Sequence, residues 1–450
     1  MTNLSPGSMP FITQYKNTAG ALPHAGLGWL DVLRDQGIKR FEALGLPTPA
    51  IEDWKYTRLR PLEDTEFQKN GGGSVADKGT VVPSLFKADK KHPKIVFVNG
   101  QLCLEKSNLD HLPDGLIVRP TLDMLKNNPD WFEKRMGSIV GDSGRAMQSL
   151  NAALLDGGYV IAVDANVHIE HPIEIIFLRG GLHHPVCSNP RNFIDMGLGS
   201  SATVISHHSG LGVGAYFANA VTEINVADGA HLNHYRVQDE SKDATHLLSV
   251  HVDIGRDATY ESFGLSVGGR LSRTEVHARL LGRGGHTAIN GAYLMRGDEH
   301  CDNTTVIDHL APDTTSREVF KGVLDDQSRA VFQGKIVVHK DAQRINGHQL
   351  SKALLLSDAA EMDAKPELEI YADDVKCSHG ATTGQLDETE LFYLRSRGIP
   401  EAQARNMLIR SFLAEAVQEI NDQDIQEAMI ERVMHWLPAQ CFLASEWTKP

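Results

Sequence analysis

No stretch of the chain supplies the run of about 18 apolar residues that a membrane-spanning helix needs, so membrane insertion is not expected. The first residues, Met-Thr-Asn-Leu-Ser-Pro, lack a basic segment followed by an apolar one, and secretion is not expected either. No two cysteines stand in Cys-x-x-Cys spacing. Cys103, Cys187, Cys301, Cys377 and Cys441 are odd in number and scattered, which argues against a compact zinc or dithiol site and fits reduced thiols in the cytoplasm. A phosphate-cradling Gly-x-x-x-x-Gly-Lys-Ser/Thr loop is missing too: Gly334-Lys335 is followed by Ile336, so ATP hydrolysis would fall to another chain. Basic residues are outnumbered, with a formal net charge of −14, and no nucleic-acid partner is expected.

What is present changes character along 450 residues, enough for two or three units around at least one large core. Leu30, Leu33, Phe41 and Leu44 predict a helix stopped by Gly45 and Pro47. A loose charged loop follows, centred on Gly71-Gly-Gly-Ser74. Ile95–Leu104 reads as a hairpin on Asn99-Gly100, and Ala146–Leu155 as a helix ended by Asp156-Gly157-Gly158. From Tyr159 the chain turns to strand-like runs broken by Gly, Asp and Asn. Asp387 and Glu390 open a final helical region in capping-box fashion, Gly398 closes its first helix, and Pro400 is placed at the first position of the next. Ala404, Leu408, Phe412, Ala416 and Ile420 then form an apolar stripe, and Ile425, Met429, Val433 and Trp436 form another before Pro438. The expected units are 1–155, mixed helical with a β-hairpin; 156–385, a β core; and 386–450, a helical domain.

A repeat runs through the β core. Leu198-Gly-Ser-Ser-Ala-Thr-Val204, Val226-Ala-Asp-Gly-Ala-His-Leu232 and Ile254-Gly-Arg-Asp-Ala-Thr-Tyr260 share a pattern whose alanines, Ala202, Ala230 and Ala258, recur every 28 residues. Leu281-Gly-Arg-Gly-Gly-His-Thr287 continues it after 27, and Ala330 and Ala342 stand in similar settings as the period slips. A small residue at a turn, repeated with strand formers on both sides, marks stacked supersecondary units. The expected architecture is mainly β: a parallel, right-handed β-helix flanked by an N-terminal α/β region and a C-terminal helical domain. Helices appended to such a core can cap its open coil or dock a partner.

The chemistry concentrates in Tyr371-Ala-Asp-Asp-Val-Lys-Cys-Ser-His-Gly-Ala-Thr-Thr-Gly384. On a strand, Cys377 and His379 point to one face, and a thiolate with a neutral imidazole suits zinc, iron or an iron–sulfur cluster. Two donors leave such a site unfinished, and a lone Cys-x-His is more often structural than metal-binding. The other histidine groups, His183-His184, His207-His208 and His231-x-x-His234, read better as stacked or solvated residues on a β-helix face. A carbohydrate-active β-helix enzyme is the alternative, and Asp239-Glu240, Asp325-Asp326 and Asp373-Asp374 would be its carboxylates. Neighbours on a strand face opposite ways, which makes these doublets poor acid/base pairs.

The Cys377-Ser-His-Gly-Ala-Thr382 segment, followed by Leu391-Phe-Tyr-Leu-Arg-Ser-Arg-Gly-Ile-Pro400, resembles the SufB/SufD family of the SUF iron–sulfur cluster assembly system. Glu52-Asp-Trp-Lys-Tyr-Thr57 is similar to an element near the start of that family, so the resemblance runs from about Trp29 to the last helices. The SufB branch has His-Glu-Ala-Thr where this chain has His379-Gly-Ala-Thr382, which favours the SufD branch. The resemblance implies a β-helix core with helical ends and a scaffold role in a complex with a SufB-like paralogue and a SufC-like ATPase, the latter engaged through the C-terminal helices. It also implies that His379 faces the paralogue and binds iron or a transient Fe–S cluster at their interface. Cys377 would be a second ligand, a sulfur acceptor or a packed neighbour. Flavin use and a homodimer of the isolated chain are left open.

Overall fold

The computed structural model describes residues 7–69, 82–85, 92–141, 145–181, 184–212 and 214–437. Gly71–Ser74, His183, Pro438 and Cys441, singled out above, lie outside the described residues. From Tyr159 to Gly384 the chain winds into a parallel β-solenoid of about eight turns, each coil giving one strand to each of two sheets. The first sheet, A, ends with Glu361–Ile370; the second, B, ends with Val375–Gly384.

The turn that joins sheet A to sheet B explains the repeat. Gly199, Gly229, Asp257, Gly284, Asp313 and Arg344 all have positive φ, between 51° and 75°. Most donate their N–H to the next coil, as Gly229 does to Arg256 O at 2.8 Å and Asp257 to Arg283 O at 2.9 Å. Glycine reaches this left-handed region without strain and aspartate more easily than most residues, so both recur there. Arg344 is the exception, and the Asp313 carboxylate holds its side chain at 2.5 and 2.8 Å.

Ala230 and Ala258 occupy equivalent places, His231 standing opposite Thr259, and the later step to His286 is 27 residues as expected. Ala202 does not belong in that phase. It lies opposite Leu232, because the turn leaving Ser201–Gly210 is two residues longer than the one leaving His231–Glu240. All three predicted N-terminal elements form: helices span Gly28–Leu44 and Ala146–Leu154, and a hairpin joins Lys94–Val98 to Gln101–Leu102 on left-handed Asn99 and Gly100.

These N-terminal strands continue the solenoid. Lys94–Val98 extends sheet B beside Ile173–Arg179, and Leu116–Pro120 extends sheet A antiparallel to Tyr159–Val163. Both sheets thus end in antiparallel strands at the N-terminal side. The Glu52–Thr57 element clasps the outer face of sheet A. Trp54 is buried beneath the Arg273 guanidinium, 4.1 Å from its ring centre. Arg273 binds Glu275, Asp302 and the Asp53 carbonyl, Thr57 donates to Asp302, and Lys365 reaches Glu52.

Of the C-terminal helices, Glu388–Ser396 packs against Glu401–Val417, which with Gln423–Trp436 folds back along the outer face of sheet B rather than over the end of the solenoid. Asp387 caps the first, as expected, and Pro400 is the N-cap of the second rather than its first residue. Ile409, Leu413, Ala416 and Ile420 pack with Tyr235, Phe263, Leu265 and Val319, while Arg317–Glu419 and Lys321–Glu415 pair across the seam.

Close coil stacking makes one glycine irreplaceable. A Cβ on Gly282 would overlap the Arg256 backbone of the preceding coil. Gly282→Ala is therefore expected to cost about 3 kcal/mol, the upper range for overpacking, read as a lower urea midpoint with an unchanged m-value.

Candidate functional site

The site begins with what the last coil leaves exposed. Met196, Val226, Ile254, Leu280, His309, Val338 and Ile370 stand in one register column of sheet A. All are buried except the last: Val338 is fully buried, whereas Ile370 is 41% exposed. Among the described residues nothing is paired with the outer edges of Glu361–Ile370 or Val375–Gly384.

The two edges differ. Pro366 sits mid-strand in the edge of sheet A, where it removes a backbone donor, and Glu361, Asp363, Lys365, Glu367 and Glu369 alternate along the same strand. Proline and alternating charge are the usual devices that blunt an edge. Val375–Gly384 has neither, only Lys376 as a charged side chain, and its backbone edge is open.

Cys377 and His379 lie on that open strand, opposite Gly347 and Gln349. Cys377 packs against the interior core of the solenoid, so strand alternation directs His379 to the same interior face. Cys377 is half-buried and His379 exposed, which places both donors at the mouth of the solenoid. Burial pushes the Cys377 thiol up from its ordinary range, with a backbone hydrogen bond from Gly347 opposing.

Beneath the mouth lies a polar pair that the sequence reading did not single out. Gln349 is buried and donates from Nε2 to Glu318 Oε2 at 2.7 Å, while its Oε1 has no partner. Burial pushes the Glu318 carboxyl up to about 7. A Cβ on Gly334 would overlap the Gln349 amide, so that glycine makes the room for it. No sequence pattern announces these residues; only the coil register sets Glu318, Gln349 and His379 in one column.

Among the described residues no three His, Cys, Asp or Glu side chains gather as a metal site. Of the other histidine groups, His207 bonds Glu174 at 3.0 Å, His208 stacks on Phe177 at 5.0 Å, and His231 bonds Asn233, as packed residues of the sheets do. The carboxylate doublets do not converge. Glu240 is buried against His246 while Asp239 turns outward to Arg432, and Asp326 is a left-handed turn residue. These doublets do not support the carbohydrate-enzyme alternative.

The chain is thus a β-solenoid protein with antiparallel closure at one end, helices on an outer face and a Cys-x-His strand at the other end. The chain belongs to the SufBD family: the SufBD protein N-terminal region matches residues 8–175, and the SUF system FeS cluster assembly SufBD core domain matches 179–412. It is a SufD-like member. The iron-sulfur cluster assembly protein SufD of Escherichia coli is 30% identical over 406 residues, 90% of this chain and 92% of the relative. The chloroplastic protein ABCI7 of Arabidopsis thaliana is 33% identical over 440 residues, 93% and 89% of the two chains. SufD of Bacillus subtilis is 26% identical over 415 residues, 90% and 94% of the two chains. No helix among the described residues is long and apolar enough to cross a membrane.

The cysteines make this geometry testable. Burial pushes Cys187 and Cys301 up to about 12, so both should resist iodoacetamide until the chain unfolds. Because the Cys377 thiol is also raised, its thiolate fraction at pH 8 lies below that of a free thiol, and its alkylation rate should still climb above pH 9. A rate that levels off below pH 8 would contradict this environment.

Proposed function

We propose that this chain is a non-catalytic scaffold subunit of the SUF machinery. It joins a SufB-like paralogue through the open end of its solenoid and a SufC-like ATPase through its C-terminal helices. The observation that carries the reading is the unfinished last coil, which presents an unblunted parallel edge with a thiol and an imidazole at its mouth. An exposed strand edge offers a row of backbone donors and acceptors to another sheet, and strand addition brings the side chains of both edges together.

Iron or a nascent cluster is cargo here, not a resident cofactor. Thiolate and imidazole are the right donors for it, yet a tetrahedral iron held by two protein ligands lacks two more. A partner strand supplies them at the interface. His379, exposed on the edge, is the primary ligand. Cys377, half-buried with its thiol form favoured, is second in rank as ligand, sulfur acceptor or neighbour. The same edge serves a second copy of the chain when the paralogue is absent.

The first C-terminal helix supports the second interface. Leu391 is buried, whereas Phe392 is 71% and Tyr393 57% exposed, a large apolar surface for a solvent-facing helix. ATP hydrolysis, on this reading, occurs on the chain docked there, in the cytoplasm.

The test is co-purification with SufB-like and SufC-like partners, followed by anaerobic cluster reconstitution read by visible absorbance. His379→Ala is expected to leave the complex intact and to reduce the cluster absorbance several-fold. An intact complex that matures clusters normally with alanine at 379 would make this chain a structural subunit. Failure to form any complex would overturn the scaffold reading.

A further inference from the structure

Deeper in the solenoid, away from the mouth, one charge has no counterpart. Arg236 lies on the interior face of the strand His231–Glu240 and is only 8% exposed. Its Nε and Nη1 have no hydrogen-bond partner, and no ion pair involves it among the described residues. Glu240, on the same strand face, is already committed: His246 lies 2.8 Å away, Arg179 3.7 Å, and the Tyr216 hydroxyl donates to it at 3.0 Å. Burial disfavours the charged guanidinium, the phenols of Tyr260 and Tyr159 oppose this, and burial keeps both phenols protonated.

Arg236 borders a small cavity of about 20 Å³, lined also by His208, Gln238, His246, Ser272 and Asn303. Gly264, next in the register column, leaves it space, since a Cβ there would come within 3.1 Å of Nη2. The Ser272 hydroxyl, which also faces the Cys301 thiol, is a second buried polar group on this lining. Burial and the neighbouring cations hold the His208 imidazole neutral, so it adds no further charge.

Arginine does not shed its proton in proteins, so this positive charge persists in the folded chain. An uncompensated buried ion costs several kcal/mol even after relaxation. One water would fill hydrogen bonds without cancelling charge, and the cavity has room for about one water-sized particle. A phosphate or sulfate is too large. We propose that this cavity is a binding site for a single monovalent anion of chloride size, held by Arg236 with help from the Ser272 hydroxyl.

The test uses bromide as the probe. Crystals of the full chain soaked in sodium bromide are expected to show an anomalous bromine peak beside Arg236, and crystals of Arg236→Met none there. In solution, the melting temperature of the wild-type chain should rise with bromide against gluconate at equal ionic strength, and that of the variant should not. An ordered water without anomalous signal in the wild-type cavity would overturn the proposal, as would an equal bromide response in both chains. Should the variant fail to fold, the wild-type crystal decides alone.

Discussion

The strands of a parallel solenoid make their ladder hydrogen bonds to the coils before and after them, not within their own coil. Everything else in this protein follows from that dependence. At the N-terminal side it is met by antiparallel strands, Gln101–Leu102 on sheet B and Leu116–Pro120 on sheet A, which end both sheets within the chain. At the C-terminal side it is not met, and the last strands stand with one edge free. The two ends therefore differ in kind: one is terminated, the other is an invitation to continue.

The outer faces are closed in complementary ways. Sheet A is held by a charged, buried network in which Arg273 gathers Glu275, Asp302 and the Asp53 carbonyl while stacking on the face of Trp54. Sheet B is covered by an apolar seam in which Leu413, Ala416 and Ile420 meet Tyr235, Phe263 and Val319. A paired ion network of this sort adds geometric definition more than net stability, while the apolar seam supplies area. With both faces occupied, the free end is where a partner can join the sheets themselves.

Much of the fold was legible because the solenoid writes its turns into the sequence. The left-handed positions at Gly229 and Asp257 made the period visible, and Asn99-Gly100 announced its hairpin. The phase at Ala202 was not legible, since a two-residue change in the opposite turn leaves the strands looking unaltered. The path of the last helices was hidden too: their stripes showed that they pack, but not on which face. Of the candidate site, Cys377 and His379 could be read from the motif. Gln349, Glu318 and Arg236 could not, because each depends on what the register places a whole coil away.

The Glu52–Thr57 clasp has a consequence for the order in which the molecule is made. Its anchors, Arg273, Asp302, Gln333 and Lys365, lie on four successive coils that are synthesised roughly 220 to 310 residues after the clasp itself. Contacts so distant in sequence form late and slowly. During translation the segment waits, its tryptophan uncovered, until Arg273 emerges, and Lys365 on the last strand of sheet A fastens it last. The last fastening of the clasp and completion of the Cys377–His379 strand are then neighbouring events, since Lys365 lies on the strand just before it.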